Sequence, residues 1–341
     1  MQTLSTDFLS RRISEIRDRR RPPKAKAYQA LLERVTRILR YEDTDVRPAD
    51  DMGLGGGLVY LDPHRDTIII PDLHARLDFV AALLAFRQSG GLSVLEELEG
   101  GFAQLVFVGD GMHAEGRAAS RWREAQKEFL RNFRRRRHMD AEMRESLGVM
   151  EMVLELKAAF PRAVHYLKGN HDNIGIERGN GNYPFMKFAM EGPMVTGYIE
   201  RFYGADFLES YARFERAMPL VAAGAHFMIS HAEPARAYSR YEVLNYRRYG
   251  DVVEGLTWTA DEQSQPGSVE RMIREFLEPR FWNEGLYFGG HRPVRDLYNR
   301  RANGRYVQIH NPTKHIIARI RPYQQIELDQ DIIEIPVTRG R

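Results

Sequence analysis

Five short apolar segments of the chain each end in residues that can bind a metal ion. In "VHYLKGNHD", for example, Asn170, His171 and Asp172 directly follow a strand-like run. Turn residues commonly follow strands, so one such ending alone indicates only a turn. The arrangement recurs four more times, which makes a shared site the better interpretation. The residues at the five endings are Asp72 with His74, Asp110 with His113, Asn170 with His171 and Asp172, His231, and His291.

The segments that carry these residues predict an α/β protein. Runs such as "DTIII", "QLVFV" and "HFMIS" are typical of buried strands, and most are separated by helix-like stretches, including 79–88 and 149–160. The loops after the carboxyl ends of strands in an open α/β sheet gather on one side, where ligands bind. We therefore expect the five endings to converge. The later segments "GRYVQIHN", "KHIIARI" and "QDIIEIPV" suit a second sheet or the antiparallel end of a mixed one.

Composition limits the chemistry that such a site can perform. The chain has 341 residues, 43% of them hydrophobic, a formal charge of +3 and no cysteine. Disulfides, zinc–thiolate sites and cysteine nucleophiles are therefore excluded. The weakly basic charge permits a phosphorylated substrate without requiring nucleic acid. The N-terminal residues lack the apolar core of a signal peptide, and the chain lacks an apolar span of membrane length, so we expect a cytoplasmic protein with no membrane partner.

Ligands without sulfur suit two borderline divalent ions. Imidazole, carboxylate and amide groups favour Mn²⁺, Fe²⁺ or Zn²⁺ with water completing the shells, and we favour Mn²⁺. Two such ions about 3.5 to 4 Å apart can share a hydroxide and clamp a phosphoryl group. A carboxylate shared by both ions is the natural bridge.

The ordered set of motifs resembles the calcineurin-like metallophosphoesterases. In chain order these motifs are D-x-H, G-D, G-N-H-D, a lone His after a strand, and G-H, and they span about residues 66–320. Each motif alone is weak, whereas the ordered set is specific. Within that superfamily, "FGGHRPV" looks most like the "GHTPV" of bacterial phosphoprotein phosphatases and diadenosine tetraphosphatases. The resemblance implies a four-layer α-β-β-α sandwich with two mixed sheets.

The resemblance also implies a role for each position. His171 would be the general acid for the leaving oxygen, which requires a partly protonated imidazole. Asp72 and His74 would hold the first ion, and Asp110 would bridge the two ions. The second ion would be held by Asn170, His231 and His291.

One motif departs from the family pattern. The usual G-D-x-x-D-R-G is "GDGMHAEG" here, so His113 replaces the acid that orients the catalytic His, and Ala114 replaces a phosphate-binding Arg. A His at this position resembles the DNA-repair exonuclease branch. The partner that orients His171 could be His113, Glu115 or Asp172.

A second departure concerns the first ion. Pro293 stands where many family members place a second His after G-H. The first ion would then have fewer protein ligands and more water. His310, which follows the strand-like "GRYVQI", could compensate.

Binding of phosphate also needs positive charge from the protein. Arg76, Arg117, Arg236 and Arg292 each lie within a few residues of an expected ligand, and an Arg can grip two phosphate oxygens at once. In so Arg-rich a chain most of these side chains are expected to be solvated. Arg292 is the strongest candidate because it directly follows a ligand.

The chain divides into an extension and one domain. Residues 1–50 predict an N-terminal helical extension that packs on the core or mediates self-association. Residues 58–336 would form the metallophosphoesterase domain, with a helical insertion at about 116–145. The basic run "RNFRRRRH" is more typical of an exposed helix face than of a nucleic-acid site. An insertion lying over the site would act as a substrate-selecting cap.

The expected reaction is phosphoester hydrolysis by a metal-bridging hydroxide without a covalent intermediate. The first hypothesis is a phosphomonoesterase acting on a phosphoprotein or a small phosphorylated metabolite. The second is a phosphodiesterase or nuclease, which His113 and the basic run favour. The third is a binding scaffold that kept the fold and lost turnover, against which the intact ligand set argues.

Overall fold

A computed structural model describes residues 6–336 of the chain. The strands are β1 (Leu58–Tyr60), β2 (Asp66–Ile70), β3 (Ala103–Phe107), β4 (Val164–Tyr166), β5 (Val221–Ala223), β6 (Phe227–Ser230), β7 (Leu286–Gly289), β8 (Asn299–Arg301), β9 (Tyr306–Gln308), β10 (Ile316–Ile320) and β11 (Ile332–Glu334). The helices are α1 (Thr6–Asp18), α2 (Ala25–Arg40), α3 (Leu77–Ala85), α4 (Val94–Glu99), α5 (Ala119–Leu130), α6 (Arg137–Ala159), α7 (Glu191–Phe202), α8 (Ala205–Glu215), α9 (Arg240–Leu244), α10 (Gly250–Thr257), α11 (Ser268–Phe276) and α12 (Leu328–Asp331).

The strands form two mixed sheets. One sheet has the order β1-β5-β6-β7-β9-β8, and the other has the order β11-β10-β2-β3-β4. In the second sheet β2, β3 and β4 are parallel, whereas β10 runs antiparallel to β2. In the first sheet β6, β7 and β9 are parallel to one another. Strand β5 is antiparallel to β6 but parallel to β1, and β8 is antiparallel to β9.

Side chains point alternately to the two faces of each sheet, and this alternation places the helices and the two sheets in four layers. In β2, Ile68 and Ile70 pack against helices, whereas Ile69 packs against the other sheet. The inner core between the sheets also includes Val106 and Phe288. Helices α1 to α8 cover the outer face of one sheet, and helices α10 and α11 cover that of the other. These buried strands read as continuous apolar runs because both of their faces are covered. The predicted four-layer α-β-β-α sandwich is confirmed.

The parallel strands explain why the polar endings meet. The strands β2, β3 and β4, and likewise β6, β7 and β9, have their carboxyl ends at a common edge within each sheet. Each of these six strands is followed within four residues by a residue of the candidate site.

The N-terminal helices pack on the core. The α2 positions Tyr28, Leu32, Val35 and Leu39, which recur at three- and four-residue steps, are buried. The Tyr28 hydroxyl donates to the Leu147 carbonyl on α6 at 3.1 Å. Of the two roles expected for this extension, the structure shows packing on the core; residues 1–5 lie outside the described part.

The expected insertion is built from α5 and α6, which pack on each other. Helix α6 continues to Ala159 and leads into β4, so it also serves as the crossover between β3 and β4. The four consecutive arginines at 134–137 are exposed, as expected, but they lie at the turn between the helices and the start of α6. Arg136 there lies over the Phe202 ring, at 4.0 Å from its centroid.

Candidate metal centre

The loops that carry the candidate residues contain backbone conformations that most residues avoid. His74, Asp110, His113 and His291 have φ angles of 41°, 53°, 63° and 62°. Each such left-handed residue costs on the order of 1–3 kcal/mol. Strained residues of this kind persist where the surrounding structure requires them, and four of them at one edge of the fold indicate a functional site.

Two glycines let the carboxylates approach the backbone closely. A β-carbon at Gly169 would overlap Asp110 Oδ1, and one at Gly290 would overlap Asp72 Oδ2. In the space thus left, the His291 amide donates to Asp72 Oδ1 at 3.1 Å. The carboxylates are therefore positioned by backbone groups, and a side chain at either glycine would displace them.

The ligands expected for the second ion lie together. Asn170 Oδ1 lies 3.0 Å from His231 Nε2 and 3.0 Å from His291 Nδ1. Asp110 Oδ2 lies 3.5 Å from the same His231 Nε2. Two atoms bound at about 2.1 Å to one ion, at right angles, are about 3 Å apart. The four side chains therefore have the spacing of neighbouring ligands of one ion.

The ligands expected for the first ion lie beside this group and share a carboxylate with it. His74 Nε2 lies 3.9 Å from Asp110 Oδ2, and Asp72 Oδ1 lies 3.6 Å from His231 Nδ1. Asp110 thus faces ligands of both expected ions, which is the arrangement that a bridging carboxylate requires.

Backbone carbonyls set the tautomers of two imidazoles. His74 Nδ1 lies 3.1 Å from the His113 carbonyl, and His231 Nδ1 lies 3.0 Å from the Val108 carbonyl. Nδ1–H donates in both contacts, which leaves the Nε2 lone pair for a metal. This carbonyl–histidine pattern is what metal sites use to orient their ligands.

Burial makes the cluster suited to cations. It raises the pKa of Asp110 well above its usual range, with Asp72 and Asp172 adding to the shift. It lowers the pKa of His74 and of His291 to about 3. The imidazoles are therefore neutral with free lone pairs, and the carboxylates carry charge at a high cost. Bound cations would offset that cost, so the residues present fit a pair of divalent ions.

His171 borders the cluster at the shared carboxylate. Its Nε2 lies 3.6 Å from Asp110 Oδ2, and the Phe185 ring lies over it with centroids 3.5 Å apart. The buried Nδ1 makes no hydrogen bond. Burial lowers the pKa of His171 well below its usual range, and His74 and His113 add to the effect.

None of the three expected orienting partners makes a hydrogen bond to the His171 ring. The Asp172 carboxylate accepts from the Gly169 amide at 2.8 Å and from the Tyr166 hydroxyl at 3.0 Å. Asp172 therefore holds the loop that carries Asn170. The His113 ring stands 5.5 Å from the His171 ring, and neither of its nitrogens has a hydrogen-bond partner.

Glu115, the third expected partner, faces other imidazoles. Its Oε1 lies 3.6 Å from His74 Nε2, and its Oε2 lies 3.1 Å from His310 Nε2. His310 is fully buried, with its ring 5.3 Å from that of His74. Burial tends to raise the pKa of Glu115, but His74, His310 and Lys187 outweigh it and hold the pKa well below the usual range. Glu115 is therefore ionised.

Three of the four candidate arginines make contacts within the chain. Arg76 is buried and donates to four backbone carbonyls, including those of Asn311 and Lys314. Arg117 pairs with Glu145 at 2.8 Å and donates to the Ala75 carbonyl. Arg236 pairs with Glu242 and Asp251. These guanidinium groups stabilise the loops around the site.

Arg292 and Lys187 are two cations near the centre. The buried Nε of Arg292 has no hydrogen-bond partner, and the charge of Arg292 helps to lower the pKa of His291. Lys187 Nζ lies 3.2 Å from Glu115 Oε1 with 46% of its side chain exposed. Sequence reasoning missed Lys187 and Phe185 because their segment, between β4 and α7, has no motif that marks it.

Comparison with known proteins supports the fold. No protein-family model and no curated protein matches the sequence. Among solved structures, the chain is similar to a Saccharomyces cerevisiae protein serine/threonine phosphatase described as similar to human phosphatase PP5. The TM-score is 0.60 at 14% identity, over 97% of this chain and 95% of that one. The cold-active protein-tyrosine phosphatase of a psychrophilic Shewanella gives a TM-score of 0.47 at 14% identity, over 82% of each chain. The chain therefore shares the fold of the yeast phosphatase.

Within residues 6–336, no helix combines the length and the apolar character that crossing a bilayer needs.

Proposed function

We propose that this protein is a metal-dependent phosphomonoesterase that uses two divalent ions, with Mn²⁺ as the first choice and Fe²⁺ or Zn²⁺ as alternatives. The observation that carries the proposal is the position of Asp110, whose Oδ2 faces His231 Nε2 at 3.5 Å and His74 Nε2 at 3.9 Å. Two groups of ligands thus share one carboxylate.

The expected ligands divide into two sets around that bridge. Asp72 and His74 would hold one ion, and Asn170, His231 and His291 the other. When bound, the pair of ions supplies a hydroxide nucleophile at neutral pH and neutralises charge on the phosphoryl oxygens. The chain itself shields the ligands from bulk solvent, since Asp72 and His231 are fully buried.

His171 would donate the proton to the leaving oxygen. In the chain alone its imidazole is neutral, because burial lowers its pKa. A phosphate dianion beside the ring would favour the protonated form and raise that pKa. His171 would therefore gain its proton with the substrate in place, and Phe185 would keep the ring dry.

Arg292 and Lys187 would bind the remaining phosphate charge. Lys187 is partly exposed and flexible, and it can leave Glu115 for a phosphate. The likeness to a protein serine/threonine phosphatase supports a monoester substrate, either a phosphoprotein or a small phosphorylated metabolite. We also propose that the protein is cytoplasmic.

A phosphodiesterase is the second candidate. The observation that favours it is His113, whose ring lies between those of His171 and Trp122 at 5.5 and 6.1 Å. The basic run gives it less support, because Arg136 there is engaged with Asp140 at 3.4 Å.

The test compares p-nitrophenyl phosphate with bis-p-nitrophenyl phosphate, using protein stripped of metal and then supplied with Mn²⁺. We expect turnover of the monoester only with metal, at more than about tenfold the rate of the diester. Faster diester turnover would establish the second candidate. No turnover of either with Mn²⁺, Fe²⁺ or Zn²⁺ would leave a binding scaffold.

A further inference from the structure

His310 lies at the edge of the centre where the first ion has the fewest ligands. It follows β9, which is parallel to β7, so its loop opens on the same edge as the one that carries His291. Its side chain is fully buried. The other expected ligands of that ion are Asp72, His74 and the shared Asp110, whereas the second ion has Asn170, His231, His291 and Asp110.

The two ring nitrogens of His310 have different surroundings. Nε2 lies 3.1 Å from Glu115 Oε2, the distance of a hydrogen bond. Nδ1 makes no hydrogen bond and lies 3.4 Å from Asp72 Oδ2. A proton on Nε2 makes a hydrogen bond to the Glu115 carboxylate. Nδ1 then carries a lone pair that faces the Asp72 carboxylate and accepts no hydrogen bond. An unpartnered buried acceptor beside an anion is unfavourable unless a cation lies between them.

Glu115 lies between the His310 ring and His74, an expected ligand of the first ion. Its second oxygen lies 3.6 Å from His74 Nε2, and His74, Glu115 and His310 together place one ligand-type atom each within 4.8 Å of one another. A carboxylate that accepts from the outer nitrogen of an imidazole fixes its tautomer and increases its basicity toward a metal.

We propose that His310 Nδ1 is the fourth protein ligand of the ion held by Asp72, His74 and Asp110, and that Glu115 is the positioning residue that holds the His310 ring. This inference rests on the proposed two-ion function. It gives each ion four protein ligands, with Asp110 counted in both sets.

The test measures binding of Mn²⁺ alone to the metal-stripped full chain, by calorimetry and by metal analysis after dialysis. We expect two ions in the wild-type protein. In His310→Ala one site should keep its affinity, and the other should weaken by at least about tenfold. Glu115→Gln retains an acceptor for Nε2–H and should weaken the same site less than Glu115→Ala does.

His165→Ala is the matched control. His165 is 1% exposed, and its ring nitrogens, like His310 Nδ1, have no hydrogen-bond partner, but it lies within β4 outside the cluster. Its loss should lower the melting temperature and leave both Mn²⁺ affinities unchanged. His310→Gln preserves more volume and replaces His310→Ala if that variant does not fold.

The outcomes separate this inference from the proposed function. Two ions of wild-type affinity in the His310 variants would overturn the ligand assignment while leaving the function in place. Equal effects of Glu115→Gln and Glu115→Ala would overturn the positioning role. Two ions in the wild-type protein without phosphoester turnover would overturn the function but not the ligand assignment, and a wild-type protein that binds none of Mn²⁺, Fe²⁺ and Zn²⁺ would overturn both.

Discussion

The His171 backbone amide donates to Asp110 Oδ1 at 2.8 Å, while His171 Nε2 faces Asp110 Oδ2 at 3.6 Å. One residue thus holds one oxygen of the shared carboxylate through its backbone and faces the other oxygen with its ring. The expected acid and the expected bridge are therefore coupled through a backbone bond that side-chain substitution at His171 leaves intact.

Replacing Asp110 by Asn should remove most of the metal and the activity together. Asn keeps the shape and can still accept from the His171 amide, but it has no charge to bridge two cations. We expect kcat/KM to fall more than about 100-fold, with fewer than two Mn²⁺ bound per chain. Metal analysis and turnover of p-nitrophenyl phosphate measure both. Retention of two ions would show that Asp110 does not bridge them.

Replacing His171 by Ala should slow turnover and spare metal binding. General acid catalysis contributes about 10²–10⁴-fold, and it matters most for leaving groups that need a proton. We expect a large loss of kcat on phenyl phosphate and a much smaller one on p-nitrophenyl phosphate. His171 Nε2 is also close enough to Asp110 Oδ2 for both atoms to bind the same ion. Loss of an ion in this variant would therefore identify His171 as a metal ligand. A loss of kcat that is equal on both substrates would argue against an acid.

The apolar pattern of the sequence predicted the strands and their polar ends well, because strands that are buried on both faces appear in the sequence as short continuous apolar runs. Apolar runs such as Ile68–Ile70 must be covered on both faces, and the polar residue that follows each run marks the strand end. Parallel pairing then brings Asp72, Asp110 and Asn170 to one edge. These placements follow from short-range pattern plus one rule of topology.

The environment of the cations could not be predicted in this way. Arg76 donates hydrogen bonds to the carbonyls of Asn311 and Lys314, which are more than 200 residues away in the chain. No local sequence pattern predicts such a contact. Likewise, Phe185 reaches His171 from a segment without regular structure. Side-chain partners of this kind depend on tertiary packing, which propensity and spacing do not encode.

Replacing Gly169 by Ala should disrupt the bridge without touching a ligand. The added methyl group would overlap Asp110 Oδ1 and crowd its backbone amide, so the carboxylate must move. We expect Mn²⁺ affinity to weaken by about tenfold or more. The matched control is Gly175→Ala in the same loop, where the nearest atom to the new carbon is Glu177 Cγ at 3.7 Å. Equal Mn²⁺ affinity in the two variants would contradict the close approach.

The buried Glu215 should make stability fall as pH rises. Burial raises the pKa of Glu215 to about 8, although Lys168 opposes the shift. The folded chain therefore holds a proton that the unfolded chain releases near pH 4.5. Its contribution to stability is complete below that pH and is lost as pH rises toward 8. Glu215→Gln stays neutral and can still accept from the Ile174 amide, which lies 2.8 Å from Glu215 Oε2.

The comparison is made by urea unfolding of metal-stripped protein from pH 5 to pH 9. Relative to wild type, Glu215→Gln should gain more than about 1 kcal/mol in free energy of unfolding between pH 5 and 8, with a constant difference above pH 8. Glu209→Gln is the control, since Glu209 lies on the same helix and is exposed, with 55% of its side chain accessible. Its pH curve should parallel that of the wild type. A parallel curve for Glu215→Gln as well would mean that Glu215 is ionised in the folded protein, with Lys168 compensating for its burial.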